Sequence, residues 1–275
     1  MSEPVPTGCE TCPSHNKGNL VRLGVNMEGS DFVVALAGNP NTGKSTVFNA
    51  LTGLHQHTGN WPGKTVTRAE GGFIFNEKRY KVVDLPGTYS LLSTSTDEDV
   101  ARNFILFGQP DVSVVVVDST RLERNLNLVL QVLEITDRAI VCLNLVDEAK
   151  RHGLHVDERL LAKRLGVPVI ATAARQGVGI RDLLQAINDV ATGAFVCKPY
   201  RLRARSANLE RAITQVAAQV ESLFPGLRNA RWVALRLLEG DERMIEAVRT
   251  GELASLVQPI AGRKSQKEME EESIA

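Results

Sequence analysis

The sequence predicts an α/β domain, a mostly parallel sheet with helices on both faces, followed by a small all-α domain. Three observations predict it. Short, continuous apolar runs recur at Phe32–Ala37, Val112–Val117 and Ala139–Leu143, a pattern of strands buried on both faces. Stretches with helical spacing lie between them. After Gly193 the strand pattern does not return and only helical spacing remains.

Residues 1–30 are rich in Gly, Pro, Ser and Asn without a period, which predicts a flexible tail. Phe32–Ala37 is the first strand and ends in a glycine turn, after which Ser45–Leu51 starts a helix. Further strands are expected at Gly72–Phe75, Tyr80–Val83, Val112–Val117, Ala139–Leu143 and Val167–Ala171. Phe73 and Tyr80, joined across Asn76-Glu77, predict a hairpin that puts an antiparallel strand on the sheet edge. Helices are expected at Asp97–Phe107, Leu122–Ile135, Asp157–Leu165 and Ile180–Val190. Ala207–Phe224 carries Leu209, Ile213, Val216, Val220 and Leu223 near one face, and Pro225-Gly226 ends it. Trp232–Leu238, Arg243–Val248 and Glu252–Val257 are shorter helical candidates. The expected organisation is a tail over 1–30, a sheet domain over 31–195, a helical domain over 196–262 and a charged tail over 263–275.

Composition narrows the function classes. Lys+Arg and Asp+Glu both number 32, so the balance offers no electrostatic case for a nucleic-acid partner. Four cysteines, two of them isolated in apolar stretches (Cys142, Cys197), do not make a disulfide framework. The polar start and the absence of any span-length apolar run predict a soluble, cytoplasmic chain. Cys9-x-x-Cys12 with His15 supplies three soft ligands, one short of a zinc set, and reads as a tail with free thiols.

The chemistry lies at strand ends. Gly38-Asn39-Pro40-Asn41-Thr42-Gly43-Lys44-Ser45 fits G-x-x-x-x-G-K-[ST] between a strand and a helix, with Thr46 next. Such a loop wraps backbone N–H groups and a helix N-terminus around phosphates. Lys44 would place its cation on the β- and γ-phosphates, and Ser45 would offer a hydroxyl to Mg²⁺. Asp84-Leu85-Pro86-Gly87 matches D-x-x-G: Asp84 would hold Mg²⁺ through a water, and Gly87 would donate its N–H to the γ-phosphate. Between these lies Gly59-Asn60-Trp61-Pro62-Gly63-Lys64-Thr65-Val66-Thr67, expected to be mobile, with Gly59, Asn60, Trp61, Pro62 and Gly63 among the nucleotide contacts. Its Mg²⁺-binding threonine is assigned to Thr65, with Thr67 as the second choice. Thr88 and Tyr89 follow Gly87 where many small GTPases carry a water-orienting glutamine.

The base is chosen elsewhere. Asn144-Leu145-Val146-Asp147 resembles the N-K-x-D guanine motif, with leucine in place of lysine. Asp147 can accept from the ring N–H and the exocyclic amine of guanine, a donor pair that adenine lacks. Asn144 would pair with N7 and tie the base loop to the phosphate loop. Thr172-Ala173-Ala174 stands where GTPases usually carry Ser-Ala. Ala174 would give its N–H to guanine O6, and Ala173 lacks a loop-stabilising hydroxyl. The motifs thus predict GTP/GDP as ligand, Mg²⁺ as cofactor and GTP hydrolysis as the reaction.

Together, the segments Gly38–Asn49, Gly59–Gly63 and Asp84–Leu91 resemble the cytosolic N-terminal domain of the bacterial ferrous iron transport protein B family. Asn144-Leu145-Val146-Asp147 fits that family's N-(Met/Leu)-x-D form. The resemblance implies a P-loop GTPase (Ras-like) fold with a dissociation-inhibitor-like helical domain. It implies K⁺ bound with the help of Asn41, its charge doing what an arginine finger does elsewhere. By sequence alone Asn41 is a turn residue. It implies a catalytic set of Asn41, Lys44, Thr65 and Gly87. It implies regulation of Fe²⁺ uptake at the cytoplasmic face of the bacterial inner membrane. The partners it implies are a transmembrane region of the same protein and small accessory iron transport proteins, with homo-oligomers open. Two alternatives stay open. One is an RNA or ribosome-assembly GTPase, for which Arg201, Arg203, Arg205, Arg211, Arg228, Arg231 and Arg236 would supply a basic face. The other is an adaptor that binds nucleotide without turnover.

Overall fold

The computed structural model describes residues 20–21, 23–25, 29–53, 56–92, 95–202, 206–225, 227 and 229–254. Cys9, Cys12, His15 and the charged tail lie outside them. The described chain divides into two compact units, Asn19–Ala212 and a helical unit from Ile213 onward.

The first unit is built on seven strands: β1 (Phe32–Gly38), β2 (Gln56–Asn60), β3 (Thr67–Phe75), β4 (Lys78–Asp84), β5 (Val112–Asp118), β6 (Ala139–Asn144) and β7 (Val169–Ala171). Their order across the sheet is β2-β3-β4-β1-β5-β6-β7. β1 runs parallel to β4 and β5, and β6 and β7 continue the parallel side. Every residue of Val33–Ala37, Val114–Val117 and Ala139–Leu143 is buried. Helices cover both faces, so no polar face is needed and the strands read as uniform apolar runs.

The hairpin turns at Asn76 and Glu77, both in the left-handed region (φ 47 and φ 62), the geometry of a two-residue turn that matches strand twist. Phe73 pairs with Tyr80 across it, their rings stacked at 4.7 Å. The strand it adds is not the edge. β3 is longer than its apolar run, extends back to Thr67 and takes β2 as the antiparallel edge strand. β2 has no apolar signature because it is held by the backbone ladder; its sequence, Gln-His-Thr-Gly-Asn, is polar.

The helices are α1 (Lys44–Thr52), α2 (Thr96–Gly108), α3 (Leu122–Ile135), α4 (Val146–Arg151), α5 (Glu158–Leu165) and α6 (Ile180–Thr192). The start of α2 is fixed by Ser95, whose Oγ accepts from the Glu98 N–H, with Asp97, Glu98 and Asp99 in the positive first turn. Asp157 caps α5 in the same way. The short α4 starts inside the N-x-x-D segment, where the sequence offers no period to reveal it.

The ends of the first unit differ from the sequence expectation. Leu20 and Val25, placed in the tail, are fully buried, and Arg68 donates to the Leu23 and Gly24 carbonyls at 3.2 and 2.9 Å. Lys198 and Tyr200, assigned to the helical domain, donate backbone bonds to Gly166 and Leu165. In both places isolated apolar residues (Leu20, Val25, Cys197) supply the burial, and a period-based reading passes over them. The second unit contains α8 (Ala230–Leu238) and α9 (Glu242–Arg249), with α7 (Ala207–Leu223) running into it. Val233, Ala234, Met244 and Ala247 form its core. Among the described residues no helix is long and apolar enough to cross a membrane.

Candidate nucleotide site

The register puts Gly38 beside Val116 and Asp118 beside Asn144, so the carboxyl ends of β1, β5 and β6 lie together. That end of a parallel sheet is where α/β folds bind ligands.

The phosphate loop leaves β1 at Gly38. A Cβ there would lie 2.7 Å from the Val116 carbonyl oxygen, so the loop can pass β5 only without a side chain. At its other end Gly43 has φ 78, and a Cβ would meet Asn144 Nδ2 at 2.4 Å. Gly43 caps α1 without a side-chain hydrogen bond, leaving the first N–H groups of the helix open to an anion. Thr42 Oγ1 donates to the Asn39 carbonyl at 2.9 Å and closes the loop on itself. Asn41 has φ 67 and an exposed side chain, as a turn residue would. Ser45 and Thr46 are exposed at the mouth, whereas Asn39 is buried and neither of its amide atoms has a hydrogen-bond partner.

The two charges expected to act on different ligands are paired with each other. Lys44 Nζ donates to Asp84 Oδ1, with side chains only 11% and 17% exposed. Burial pushes the Asp84 carboxyl above its ordinary range, and the adjacent Lys44 charge and hydrogen bond oppose that rise. The Asp84 carboxylate and the Ser45 hydroxyl are hard oxygen donors, the chemistry Mg²⁺ requires when phosphates complete its shell.

Beyond Asp84 the chain is tied down on two sides. Thr88 N–H donates to the Gly38 carbonyl at 3.2 Å, and a Cβ on Gly87 would touch Pro40 at 3.5 Å, so this segment rests on the phosphate loop. On α3, Gln131 Oε1 accepts from the Leu91 N–H at 2.6 Å and from Ser90 Oγ at 3.2 Å. Also on α3, Arg124 lies over the Tyr89 ring at 4.4 Å. Neither Gln131 nor Arg124 belongs to a motif, and no sequence signal marks them.

The Gly59–Thr67 segment departs from a uniformly mobile loop. Gly59 and Asn60 are in β2, and Thr67 opens β3 opposite Asn60. Only Trp61–Val66 forms the turn, closed by the Trp61 N–H to the Val66 carbonyl at 3.0 Å. Pro62, Gly63 and Thr65 are exposed on it. Trp61, expected among the nucleotide contacts, is instead 4% exposed; it meets Phe104 edge-on at 5.4 Å, with Arg68 over its ring at 5.3 Å. An aromatic residue inside a glycine-rich loop is an anchor for that loop, because burial of its ring outweighs the polarity of its neighbours.

The base end is a buried hydrogen-bond network. Asn144 is 1% exposed. Its Nδ2 donates to the Thr42 carbonyl at 3.0 Å, and its Oδ1 accepts from Thr172 Oγ1 and the Ala174 N–H, each at 3.1 Å. Thr172 is itself backed by Cys142 Sγ at 3.2 Å. One side chain therefore fastens the phosphate loop, β6 and the loop after β7. The Ala174 N–H, assigned by sequence to guanine O6, is engaged by Asn144. One Nδ2 hydrogen of Asn144 remains for a base nitrogen. Leu145 has φ 63, a left-handed conformation that costs a non-glycine residue about 1 kcal/mol. It turns the chain so that Asp147 sits on α4. Asp147 Oδ2 accepts from Gln176 Nε2 at 2.9 Å and from Arg151 Nη2 at 3.4 Å.

Comparison with known proteins matches this arrangement. The family model described as ferrous iron transport protein B matches residues 32–187, and the model of the FeoB cytosolic helical domain matches residues 206–274. An Fe(2+) transporter FeoB of Shigella flexneri is 42% identical over 214 residues, covering 76% of this chain and 27% of the relative. One from Salmonella typhimurium is 41% identical over 219 residues with the same coverage. The chain therefore spans about a quarter of the length of these relatives. The cytosolic domain of the T. maritima FeoB iron transporter in apo form superposes with a TM-score of 0.72 at 35% identity, over 85% of this chain and 89% of that one. The same domain in a GDP form gives 0.72 at 35% identity, over 85% and 88%. The FeoB G-domain of Methanococcus jannaschii gives 0.52 at 45% identity, over 58% and 97%. Two loops joined through Asn144, on a chain whose residues 32–187 and 206–274 match that family's two models, mean that this chain belongs to the ferrous iron transport protein B family.

Proposed function

We propose that the chain binds GTP and GDP, hydrolyses GTP with Mg²⁺, and is activated by K⁺. The observation that carries this reading is the Asn144 network, which locks a phosphate cradle to the loop bearing Asp147. A purine placed on Asp147 puts its phosphates toward the open N-terminus of α1. Relatives solved with GDP support the same ligand.

In this reading Lys44 exchanges partners. It leaves Asp84 for the phosphate oxygens and frees the carboxylate for the cation side. Gly87 N–H meets the γ-phosphate, and the Thr88–Gly38 bond keeps that N–H against the phosphate loop. Thr65, exposed on the Trp61–Val66 turn that buried Trp61 anchors, would join Ser45 and Asp84 in holding Mg²⁺. When bound, Mg²⁺ and K⁺ supply positive charge to the phosphate oxygens, K⁺ with the help of Asn41. Asn144, Asp147, Thr172, Ala173 and Ala174 hold the base end.

Relatives named Fe(2+) transporters extend well beyond the quarter of their length that this chain spans, which supports a membrane-spanning region of the same protein as its partner. We assign the chain to the cytoplasmic face of the bacterial inner membrane, regulating Fe²⁺ uptake, with small accessory iron transport proteins as further partners. The family match does not favour the RNA-binding alternative, and some of the arginines it would use are engaged within the chain. Arg201 pairs with Asp137, Arg236 with Glu239, and Arg211 donates to Asn208 and the Ala207 carbonyl. Arg203, Arg205 and Arg228 lie outside the described residues. The adaptor alternative is settled by turnover. Phosphate release from GTP in KCl should exceed that in NaCl at least about tenfold, the scale of a transition-state charge stabiliser. Asn41→Ala should remove the difference. Equal, near-zero rates in both salts would leave only nucleotide binding.

A further inference from the structure

The carboxylate that would read the purine is held by a residue outside every motif. Gln176 ends a short 3₁₀ turn, Ala174–Gln176, in the loop after β7. Its Nε2 donates to Asp147 Oδ2 at 2.9 Å. The backbone fixes its position. Gln176 N–H donates to the Ala173 carbonyl at 2.8 Å, Gly177 N–H to Ala174 at 3.1 Å, and Ala173 and Val178 exchange bonds at 3.1 and 3.3 Å. Ahead of the turn, Thr172 N–H donates to the Leu143 carbonyl at 2.8 Å, so the loop is an extension of the sheet.

Guanine recognition asks for both oxygens of the carboxylate in one plane, one for the ring N–H and one for the exocyclic amine. Rotation about the terminal carboxylate torsion is soft, so a partly exposed aspartate holds that plane only when something fixes it. Position 173, where a serine hydroxyl would stand beside the base loop, is a buried alanine with no side-chain donor. The other donor to Asp147 is Arg151, at 3.4 Å from a side chain that is 69% exposed, which makes it a weak restraint. Oδ2 has two lone pairs. Gln176 takes one, and the one now shared with Arg151 is the one guanine would claim.

We propose that Gln176 is a positioning residue for purine selection, supplying from three residues further along the loop the donor that Ala173 lacks. The inference rests on Asp147 being the guanine acceptor. Its test is calorimetric titration of the full chain with GDP and with IDP, which lacks the exocyclic amine. Gln176→Glu is isosteric and has no donor. It should lower the GDP-to-IDP affinity ratio at least about threefold. Gln176→Lys keeps an N–H donor and should hold the ratio within about twofold of the parent. Gln176→Ala should fall with the glutamate variant. A loss of loop packing alone would weaken both nucleotides equally and leave the ratio unchanged. Asp147→Asn, titrated with GDP and XDP, separates the two claims. If it keeps the parent's preference for GDP, the pocket reading fails and takes this inference with it. If it turns toward XDP while Gln176→Glu and Gln176→Ala keep the parental ratio, the inference alone is overturned.

Discussion

The two ends of the site are built differently. At the base end Asn144, Thr172 and Cys142 form a buried hydrogen-bonded chain within the protein itself. At the phosphate end the two most important charges, Lys44 and Asp84, bind each other, and Asn41, Ser45 and Thr65 face solvent. In the proposed reading the base end is organised before a nucleotide arrives, and the phosphate end exchanges partners when it does. Affinity for the purine should therefore depend on rigidity, and turnover on rearrangement.

The comparison breaks most severely at Asn144. Asn144→Ala removes three hydrogen bonds and strands a buried hydroxyl and a buried N–H. It should cost about 3 kcal/mol in urea unfolding. It should also weaken GDP at least about 100-fold by calorimetry. If it lowers affinity without lowering stability, the network is not the scaffold described. Asp84→Asn acts at the other end. It should reduce GTP turnover about 100-fold or more while leaving the GDP-over-ADP preference intact, since Asp84 touches no base-end residue. Gly43→Ala sits at the junction. The left-handed backbone and the approach to Asn144 Nδ2 should cost about 1–3 kcal/mol and loosen both ends together. Thr172→Val, which removes one buried hydroxyl, should cost about 1 kcal/mol with only a small loss of GDP affinity. The smallest effect is chemical. Burial pushes the Cys142 thiol up to about 12, so the neutral thiol persists at all lower pH values. Cys142 should resist iodoacetamide at pH 8 in the folded chain and react once urea unfolds it.

The same contrast explains what the sequence made legible. Gly38, Gly43, Lys44, Asp84, Gly87, Asn144 and Asp147 stood out as candidates because each has a backbone or charge requirement that few residue types meet at that spacing. β1, β5 and β6 were readable because two-sided burial writes itself as nearly continuous apolar runs. The contacts of Gln131, Gln176 and Arg124 were not, since a glutamine or arginine on a helix or turn looks the same whether it holds a loop or faces water. β2 was missed because its stability comes from ladder bonds, which carry no side-chain signature. Trp61 was misplaced because a motif assigns a segment to a ligand, while burial is decided by what packs on it, here Phe104 and Arg68. Leu20 and Val25 show the same limit: single apolar residues in a polar run can still be core.

Guanine selection in the proposed reading requires a pre-built purine end. Calorimetric titration of the chain with GDP and with ADP measures it most directly. Adenine would leave the Asp147 carboxylate without its donor pair, so GDP should bind at least about 1000-fold more tightly than ADP. Equal affinities for the two nucleotides would contradict the account.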